Sequence, residues 1–276
     1  MKILIIGRPK SGTSMLAGKL KAGLDAHFHI NSQLLFEPRG ENWLEQLKAN
    51  NVTKVLYSSN PHHISTLEDA IEISKHFDKK VIICRDPRDI LISDTLYRWF
   101  HRHNPKSEYF QLALSLLLKK EKKPESVNLY EISSISINRG IPVSLERYKK
   151  NLKAENDKFS EPVLKLHSHG WHLVKYEDII SQENTHLNQY LGFSISSEIK
   201  SQKKAFLRTA RSKTFGNWRN WFTREDIIFF KPLLEKSLSN LGYNINDWEL
   251  NQSQNIDPHI SSNYVKKLFN GEGDFQ

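Results

Sequence analysis

Short apolar runs alternate with segments of helical spacing along the chain. Apolar runs predict strands at residues 2–6, 26–30, 52–57, 81–84 and toward the end of 167–176. Helical spacing predicts helices at residues 15–21, 66–76, 87–97, 107–120, 143–154, 177–191, 198–208 and 224–241. Asp86 and Pro87 suit the N-cap and first position of the third helix, and Thr223 and Asp226 resemble a capping box.

Four stretches lack a regular pattern. Residues 34–40 and 208–218 predict loops, and the second of these is basic, as a binding loop would be. Residues 121–143 contain two prolines and a glycine, which predicts an irregular loop or lid. The last stretch, 256–276, predicts a peripheral C-terminal tail, so we expect one domain over residues 1–255.

The alternation of strands and helices predicts an α/β fold in which helices flank a central parallel sheet. In such folds ligands bind at the carboxyl ends of the strands. A glycine-rich segment follows the first predicted strand, and Arg85 follows the strand at 81–84. We therefore expect the functional site at the edge of the sheet that carries both.

Composition excludes several classes of protein. The chain has 276 residues and is 38% hydrophobic, with no apolar run of membrane-spanning length and no visible signal peptide, which predicts a cytoplasmic protein without a membrane partner. The single cysteine, Cys84, excludes an internal disulfide framework. Spaced histidine pairs occur, but no cysteine or carboxylate cluster completes a metal site, so we expect no metal.

The net charge of +9 suits an acidic ligand. No nucleic-acid-binding motif accompanies the basic residues, so we expect no nucleic-acid partner. Runs such as residues 119–123 are expected to be solvated helix ends. The charge therefore points to a nucleotide or another small anion.

The segment from Gly7 to Ser14 has the strongest chemical character in the chain. Two glycines, Gly7 and Gly12, are separated by four residues, and the segment lies between a buried strand and a helix. This arrangement aims backbone N–H groups and a helix N-terminus at a phosphate. Nucleoside triphosphatases with a P-loop have a lysine directly after the second glycine. This chain has Thr13 at that position, and the lysine of its loop is Lys10.

Four segments together resemble the sulfotransferases that use 3′-phosphoadenosine 5′-phosphosulfate (PAPS). They are residues 8–14, the stretch from Arg85 to Ser93, residues 174–179 around Tyr176, and residues 211–220. Ser212 and Lys213 depart from the family pattern in the last segment. The resemblance implies a P-loop NTPase-like three-layer fold and sulfuryl transfer from PAPS, with 3′,5′-adenosine bisphosphate (PAP) as product and no metal.

The resemblance also implies which residues bind the nucleotide. Arg85 and Ser93 match the residues that bind the 3′-phosphate in the family, and a guanidinium can bind two phosphate oxygens at once. The implied cofactor-binding residues are Arg8, Lys10, Ser11, Gly12, Thr13, Ser14, Arg85, Ser93, Tyr176, Arg211, Lys213 and Trp218.

Catalysis needs a cation for the leaving phosphate and a general base for the acceptor. Lys10 is the candidate for the first role. Glu37, in a Glu-Pro pair as in carbohydrate sulfotransferases of similar pattern, and His63, or its neighbour His62, are the candidates for the second. Histidine has the better resting pKa and Glu37 the better sequence match, which slightly favours Glu37.

Other functions stay open on the sequence alone. A P-loop kinase or NTPase is disfavoured by Thr13, and the third alternative is a non-catalytic nucleotide- or polyanion-binding protein. The acceptor is expected to be a small molecule or a glycan that offers a hydroxyl or amine. Its pocket is expected to involve 121–143 and the aromatic residues Trp99, Phe100, Trp221 and Phe222.

Overall fold

The computed structural model describes residues 1–40, 42–60, 62–99, 108–136, 143–197, 212–251 and 255–270. In this part of the chain five strands form one sheet, in the order β2-β3-β1-β4-β5, and every neighbouring pair is parallel. The strands are β1 (Lys2–Gly7), β2 (Gln33–Phe36), β3 (Asn51–Leu56), β4 (Lys79–Cys84) and β5 (His172–Lys175).

The described helices follow the strands in an α/β pattern and then continue as a helical region. They are α1 (Thr13–Phe28), α2 (Leu67–Ser74), α3 (Pro87–Tyr97), α4 (Glu108–Lys122), α5 (Leu129–Ser136), α6 (Leu145–Ser168), α7 (Tyr176–Ile180), α8 (Thr185–Leu191), α9 (Trp218–Trp221), α10 (Arg224–Asn240) and α11 (Ser262–Asn270). Short 3-10 helices lie at Trp43–Gln46, Pro124–Ser126 and Pro258–Ile260.

The chain forms two compact units. The first unit comprises Met1–Arg85 and Asp157–Gln202 and contains the whole sheet. The second unit comprises Asp86–Asn156 and Lys203–Gln276, and its described elements are helical. The domain bounds of 1–255 and 256–276 remain a prediction.

The core of the first unit forms around β1. The side chains of Ile3, Leu4, Ile5 and Ile6 are fully buried, because a parallel strand in an α/β sheet is covered on both faces. Gly7 ends this strand where α1 approaches it. A Cβ atom there would lie 2.6 Å from the methyl carbon of Thr13 and 2.8 Å from the Ile83 carbonyl oxygen, so only glycine fits.

An apolar core holds the helices of the second unit together. Trp99 and Phe110 pack edge to face with ring centroids 5.2 Å apart, and Phe110 stacks on Phe269 of α11. Val265 and Leu268 of the same helix are buried as well. The prediction of a peripheral tail from residue 256 is therefore wrong for residues 262–270, whose apolar face completes this core.

Several other local predictions need correction. The strand expected at 26–30 is wrong, because residues 26–28 continue α1. A strand forms instead at Gln33–Phe36, and its last three residues fall in the stretch expected to be a loop. Within the stretch expected to be an irregular lid, 129–136 forms α5, because Leu129 and Ile132 bury their side chains in the core. The helix expected at 143–154 continues to Ser168, and 177–191 forms two short helices.

Three of the aromatic residues expected in the acceptor pocket are core residues. Trp99, Trp221 and Phe222 are buried among the apolar side chains of the second unit. Phe100, residues 137–142 and the helix predicted at 198–208 lie outside the described residues. The three buried rings stabilise the unit and leave the acceptor to be contacted by other groups.

Asp226 links the start of α10 to the start of α5. Its carboxylate accepts the backbone N–H groups of Thr223, Leu129 and Tyr130 at 3.0, 2.8 and 3.1 Å. The Thr223 hydroxyl accepts the Asp226 N–H in return, so the predicted capping box is present. One fully buried carboxylate thus satisfies N–H groups from two segments far apart in sequence.

We expect Asp226→Ala to destabilise the fold strongly. It leaves three backbone N–H groups without their acceptor, two of them in buried contacts, and the free energy of unfolding should fall by about 3 kcal/mol. Urea unfolding followed by circular dichroism measures this change. Glu225→Ala is the matched control, because Glu225 is an exposed acid in the same helical turn. A loss no greater than that of the control would contradict the role of the carboxylate.

Candidate active site

A tight loop joins β1 to α1 in the first unit. The backbone N–H and the hydroxyl of Ser11 both donate to the carbonyl oxygen of Arg8, at 3.1 and 2.7 Å. Lys10 and Gly12 have positive φ angles of 72° and 90°. A lysine in this region is uncommon and carries backbone strain, which is typical of residues at functional sites.

The N-terminus of α1 opens on this loop. Gly12 occupies the N-cap position and has no side chain with which to cap the first turn. The N–H groups of that turn therefore face the loop with the positive end of a 16-residue helix behind them. The hydroxyl-bearing Thr13 and Ser14 are the first two residues of the helix. The arrangement fits an anion, as a phosphate-binding loop does.

Arg85 and Tyr176, two of the predicted cofactor-binding residues, lie against the loop. Arg85 follows β4, and one of its Nη atoms donates to the Lys10 carbonyl oxygen at 3.3 Å. Its guanidinium carbon lies 4.2 Å from the centroid of the Tyr176 ring. The same ring lies beside Gly12, where a Cβ atom would come within 2.5 Å of the Tyr176 Cδ2 atom. Two separate segments, one after β4 and one after β5, therefore fix the loop.

Glu37 forms an ion pair with Lys54, a partner that was not identified from the sequence. It follows β2 with a φ angle of 45°, and its backbone N–H donates to the Lys54 carbonyl oxygen at 2.8 Å. Its carboxylate pairs with the ammonium of Lys54, whose side chain is only 5% exposed. The Lys54 ammonium also lies 3.3 Å from the Ser14 hydroxyl oxygen. Lys54 therefore connects the candidate base to the phosphate-binding loop.

A signal for Lys54 was present in the sequence. It interrupts the apolar run of β3, and every residue of that strand is buried in the structure. A lysine is almost never buried unless its charge is paired. A lysine within a predicted buried strand is thus a candidate for a polar site.

His63 lies beside Glu37, so both candidate bases come together. One ring nitrogen, Nδ1, lies 2.7 Å from the Ser58 hydroxyl oxygen, and Nε2 lies 3.9 Å from Glu37 Oε2. Burial lowers the pKa of His63 below 6.5, and the charge of Glu37 opposes this shift. His63 is therefore neutral near pH 7. His62, the other histidine considered, is exposed.

The remaining predicted residues belong to the second unit. Asp86 and Pro87 begin α3 as expected, with the Asp86 carboxylate accepting the Arg88 N–H at 2.8 Å, and Ser93 lies further along this helix. Lys213 is exposed, with a φ angle of 53°.

Trp218 lies in the core rather than at the surface. Its ring is 1% exposed and lies under the guanidinium groups of Arg88 and Arg219, at 4.0 and 4.5 Å from its centroid. Any contribution of Trp218 to cofactor binding therefore passes through its backbone and the loop before it. Arg211 lies outside the described residues.

Two kinds of feature are absent from the part of the chain that the structure describes. It contains no group of three or more His, Cys, Asp or Glu side chains able to hold a metal ion. Among the same residues no helix has both the length and the apolar character needed to cross a membrane.

Comparison with solved structures supports the fold. A crystal structure of a mouse sulfotransferase complexed with PAP is similar to this chain, with a TM-score of 0.50 and 16% sequence identity. The similarity covers 87% of this chain and 85% of the mouse chain. No curated protein matches the chain at a significant level. At this identity the likeness concerns the fold, and it confirms the predicted α/β architecture.

Comparison with protein families decides between the functions left open by the sequence. The model of the sulfotransferase domain matches residues 1–242, which include the phosphate-binding loop, Glu37, His63, Arg85 and Tyr176. The prediction of an enzyme that uses PAPS is thereby favoured over a kinase, an NTPase or a non-catalytic binding protein. The chain belongs to the sulfotransferase family, and it is a PAPS-dependent sulfotransferase as its motifs predicted.

Proposed function

We propose that the first unit transfers the sulfuryl group of PAPS to an acceptor hydroxyl, with Glu37 as the general base. The observation that carries this proposal is the contact chain from Ser14 through Lys54 to Glu37, with His63 beside the carboxylate. It joins the anion-binding loop to both candidate bases. An acceptor at Glu37 would therefore lie close to a group held by the loop.

The loop residues are proposed to hold the phosphosulfate end of PAPS, which supplies the sulfuryl group. Ser11, Gly12, Thr13 and Ser14 offer N–H and hydroxyl donors at the positive end of α1. Lys10 supplies the cation for the charge that develops on the leaving phosphate. The support of its carbonyl by Arg85 fixes the backbone from which this side chain projects.

Glu37 and His63 are proposed to share the acceptor hydroxyl. An oxygen atom can lie within hydrogen-bond distance of both Glu37 Oε2 and His63 Nε2, since these atoms are 3.9 Å apart. The carboxylate removes the proton, and neutral His63 donates its Nε2–H to orient the oxygen. In this tautomer Nδ1 is the acceptor, and the Ser58 hydroxyl, 2.7 Å away, is proposed to donate to it.

Lys54 is proposed to be a positioning residue for Glu37. Its ammonium holds one carboxylate oxygen, which leaves Oε2 directed at His63. The φ angle of 45° at Glu37 is strained for a glutamate, and the residue precedes Pro38, which restricts it further. The ion pair and the Glu37 N–H bond to the Lys54 carbonyl together retain this conformation.

The acceptor is proposed to be a carbohydrate hydroxyl. The support is the Glu37-Pro38 pair, which resembles that of carbohydrate sulfotransferases. A sugar presents hydroxyl groups that need a base to become nucleophiles, and Glu37 with His63 meets that requirement. A screen of sugars and glycans with ³⁵S-labelled PAPS tests this assignment against phenols and amines.

We expect PAP to bind tightly and Arg85→Ala to weaken this binding about 10- to 100-fold, because a charge-assisted contact to the 3′-phosphate is lost. Isothermal titration calorimetry with PAP, 5′-AMP and ATP–magnesium measures the affinity of both proteins for each ligand. Binding of 5′-AMP should weaken less than binding of PAP in the variant, because 5′-AMP lacks the 3′-phosphate and loses only the support that Arg85 gives to the loop. Equal loss of both ligands would indicate a distorted loop instead, and a preference for ATP–magnesium would contradict the PAPS assignment.

We expect Glu37→Gln to lower kcat at least 100-fold while leaving the affinity for PAP within twofold, because a general base contributes about 10²- to 10⁴-fold. The isosteric amide cannot accept the proton. His63→Gln is the matched variant and should lower kcat less. Turnover under saturating PAPS measures both. The opposite ranking would assign the base to His63.

We expect activity to be constant above neutral pH and to fall as the pH drops through a value below 6.5. Burial lowers the pKa of His63, so the ring gains its proton only in that range, and the imidazolium then pairs with Glu37 and removes the base. A profile of kcat/KM between pH 5 and about 8 measures this limb. If the activity of His63→Gln still falls in the same way at low pH, another group causes that fall.

A further inference from the structure

A carboxylate of α3 holds the basic loop of the second unit. Asp89 is 1% exposed, and its two oxygens accept backbone N–H groups from Gly216 at 2.7 Å and Trp218 at 3.0 Å. Gly216 and Trp218 lie 127 and 129 residues after Asp89 in the sequence. Asp89 therefore fixes the C-terminal end of the loop on α3 through the main chain.

Two additional contacts fix the same loop. The Asn217 side-chain amide donates to the Thr214 hydroxyl at 3.0 Å, which closes the loop on itself. Trp218 is buried under Arg88, which Asp86 binds through both carboxylate oxygens. The loop is thus held at Gly216 and Trp218, and Lys213, three residues before Gly216, is exposed.

Asp89 and Ser93 are four residues apart on α3. Residues at this spacing lie on the same face of a helix, so the anchor of the loop and the Ser93 hydroxyl share one face. The family resemblance implies that Ser93 binds the 3′-phosphate. Lys213 departs from the family pattern, but its positive charge can serve the same phosphate. The Asp89 contacts fix the loop that carries Lys213 to the helix that carries Ser93.

We propose that Asp89 is a positioning residue for recognition of the 3′-phosphate of the nucleotide. This proposal rests on the proposed function, because it assumes that Ser93 and Lys213 bind that phosphate. Asp89 does not touch the ligand. It holds the loop before the ligand arrives, so that less conformational freedom is lost when the phosphate binds.

A carboxylate is the group that this role requires. Both oxygens of Asp89 accept N–H groups, and together they orient Gly216 and Trp218 at once. Asparagine has one acceptor oxygen, and its amide would point N–H groups at one of the two backbone donors. Asp89→Asn therefore loosens one end of the loop with almost no change in side-chain volume.

Titration of the full chain with PAP and 5′-AMP tests the proposal. We expect Asp89→Asn to weaken PAP binding about tenfold and 5′-AMP binding less than twofold, since only PAP carries the 3′-phosphate. Asp94→Asn is the matched control on the same helix, where the carboxylate pairs with Arg98 instead. The control should leave both affinities within twofold. An equal loss of both ligands in Asp89→Asn would reduce Asp89 to a structural role and overturn the proposal.

A double-mutant cycle with Lys213→Ala separates positioning from stability. If Asp89 acts through the loop, the double variant binds PAP about as weakly as the weaker single variant. Additive losses would overturn the proposal. If the unmodified chain does not prefer PAP to 5′-AMP, the proposed function itself fails.

A variant with a smaller effect on folding keeps the proposal testable should Asp89→Asn not fold. Asn217→Ala breaks the Thr214 contact within the same loop and does not alter a buried charge. It should weaken PAP binding at least threefold and leave 5′-AMP binding unchanged, by the same loss of loop order. Unchanged PAP binding in this variant would contradict loop preorganisation.

Discussion

The active-site loop depends on the close approach of Tyr176 to Gly12. No other residue can occupy position 12 as observed, because its φ angle is 90° and a Cβ atom would lie 2.5 Å from the tyrosine ring. Arg85 covers the same ring and supports the Lys10 carbonyl. The loop is therefore shaped by residues that follow β4 and β5, and the order of strands in the sheet brings those ends together. Sheet topology thus determines the geometry of the short loop that we propose to bind the phosphosulfate.

The ion pair of Lys54 and Glu37 places a charged side chain of strand β3 beside the loop. Taking an ammonium out of water is costly, and removing one partner of a buried pair typically costs about 3–5 kcal/mol. The pair is partly screened here, because the Glu37 side chain is 31% exposed, so the cost lies at the lower end of that range. A hydrophobic residue at position 54 would suit β3 better. The lysine is explained by its contacts with Glu37 and Ser14.

Much of the fold and part of the site could be predicted from the sequence, for identifiable reasons. Residues 2–6 and 81–84 were assigned correctly because buried parallel strands are continuous apolar runs, and Asp86-Pro87 and Thr223 have direct capping chemistry. The strand at 33–36 was missed because its residues are only partly buried and it is four residues long. Helix α11 was missed because its apolar face is buried only by packing against Phe110, which lies far away in sequence. Lys54 and Asp89 were missed for the same reason, since their partners lie far away in sequence.

Residues 85–89 connect these observations, because the chain passes from the first unit to the second between Arg85 and Asp86. At one end Arg85 donates to the main chain of the phosphate-binding loop within the first unit. At the other end Asp89 accepts from the main chain of the basic loop within the second unit. Asp86 caps α3 and binds Arg88 within the second unit. A segment that resembles a phosphate-binding motif therefore also has a structural function. The cation of Arg85 binds a main-chain carbonyl, and the carboxylate of Asp89 binds main-chain N–H groups. Substitutions in it should be interpreted through the loop that each residue holds as well as through direct contact with the nucleotide.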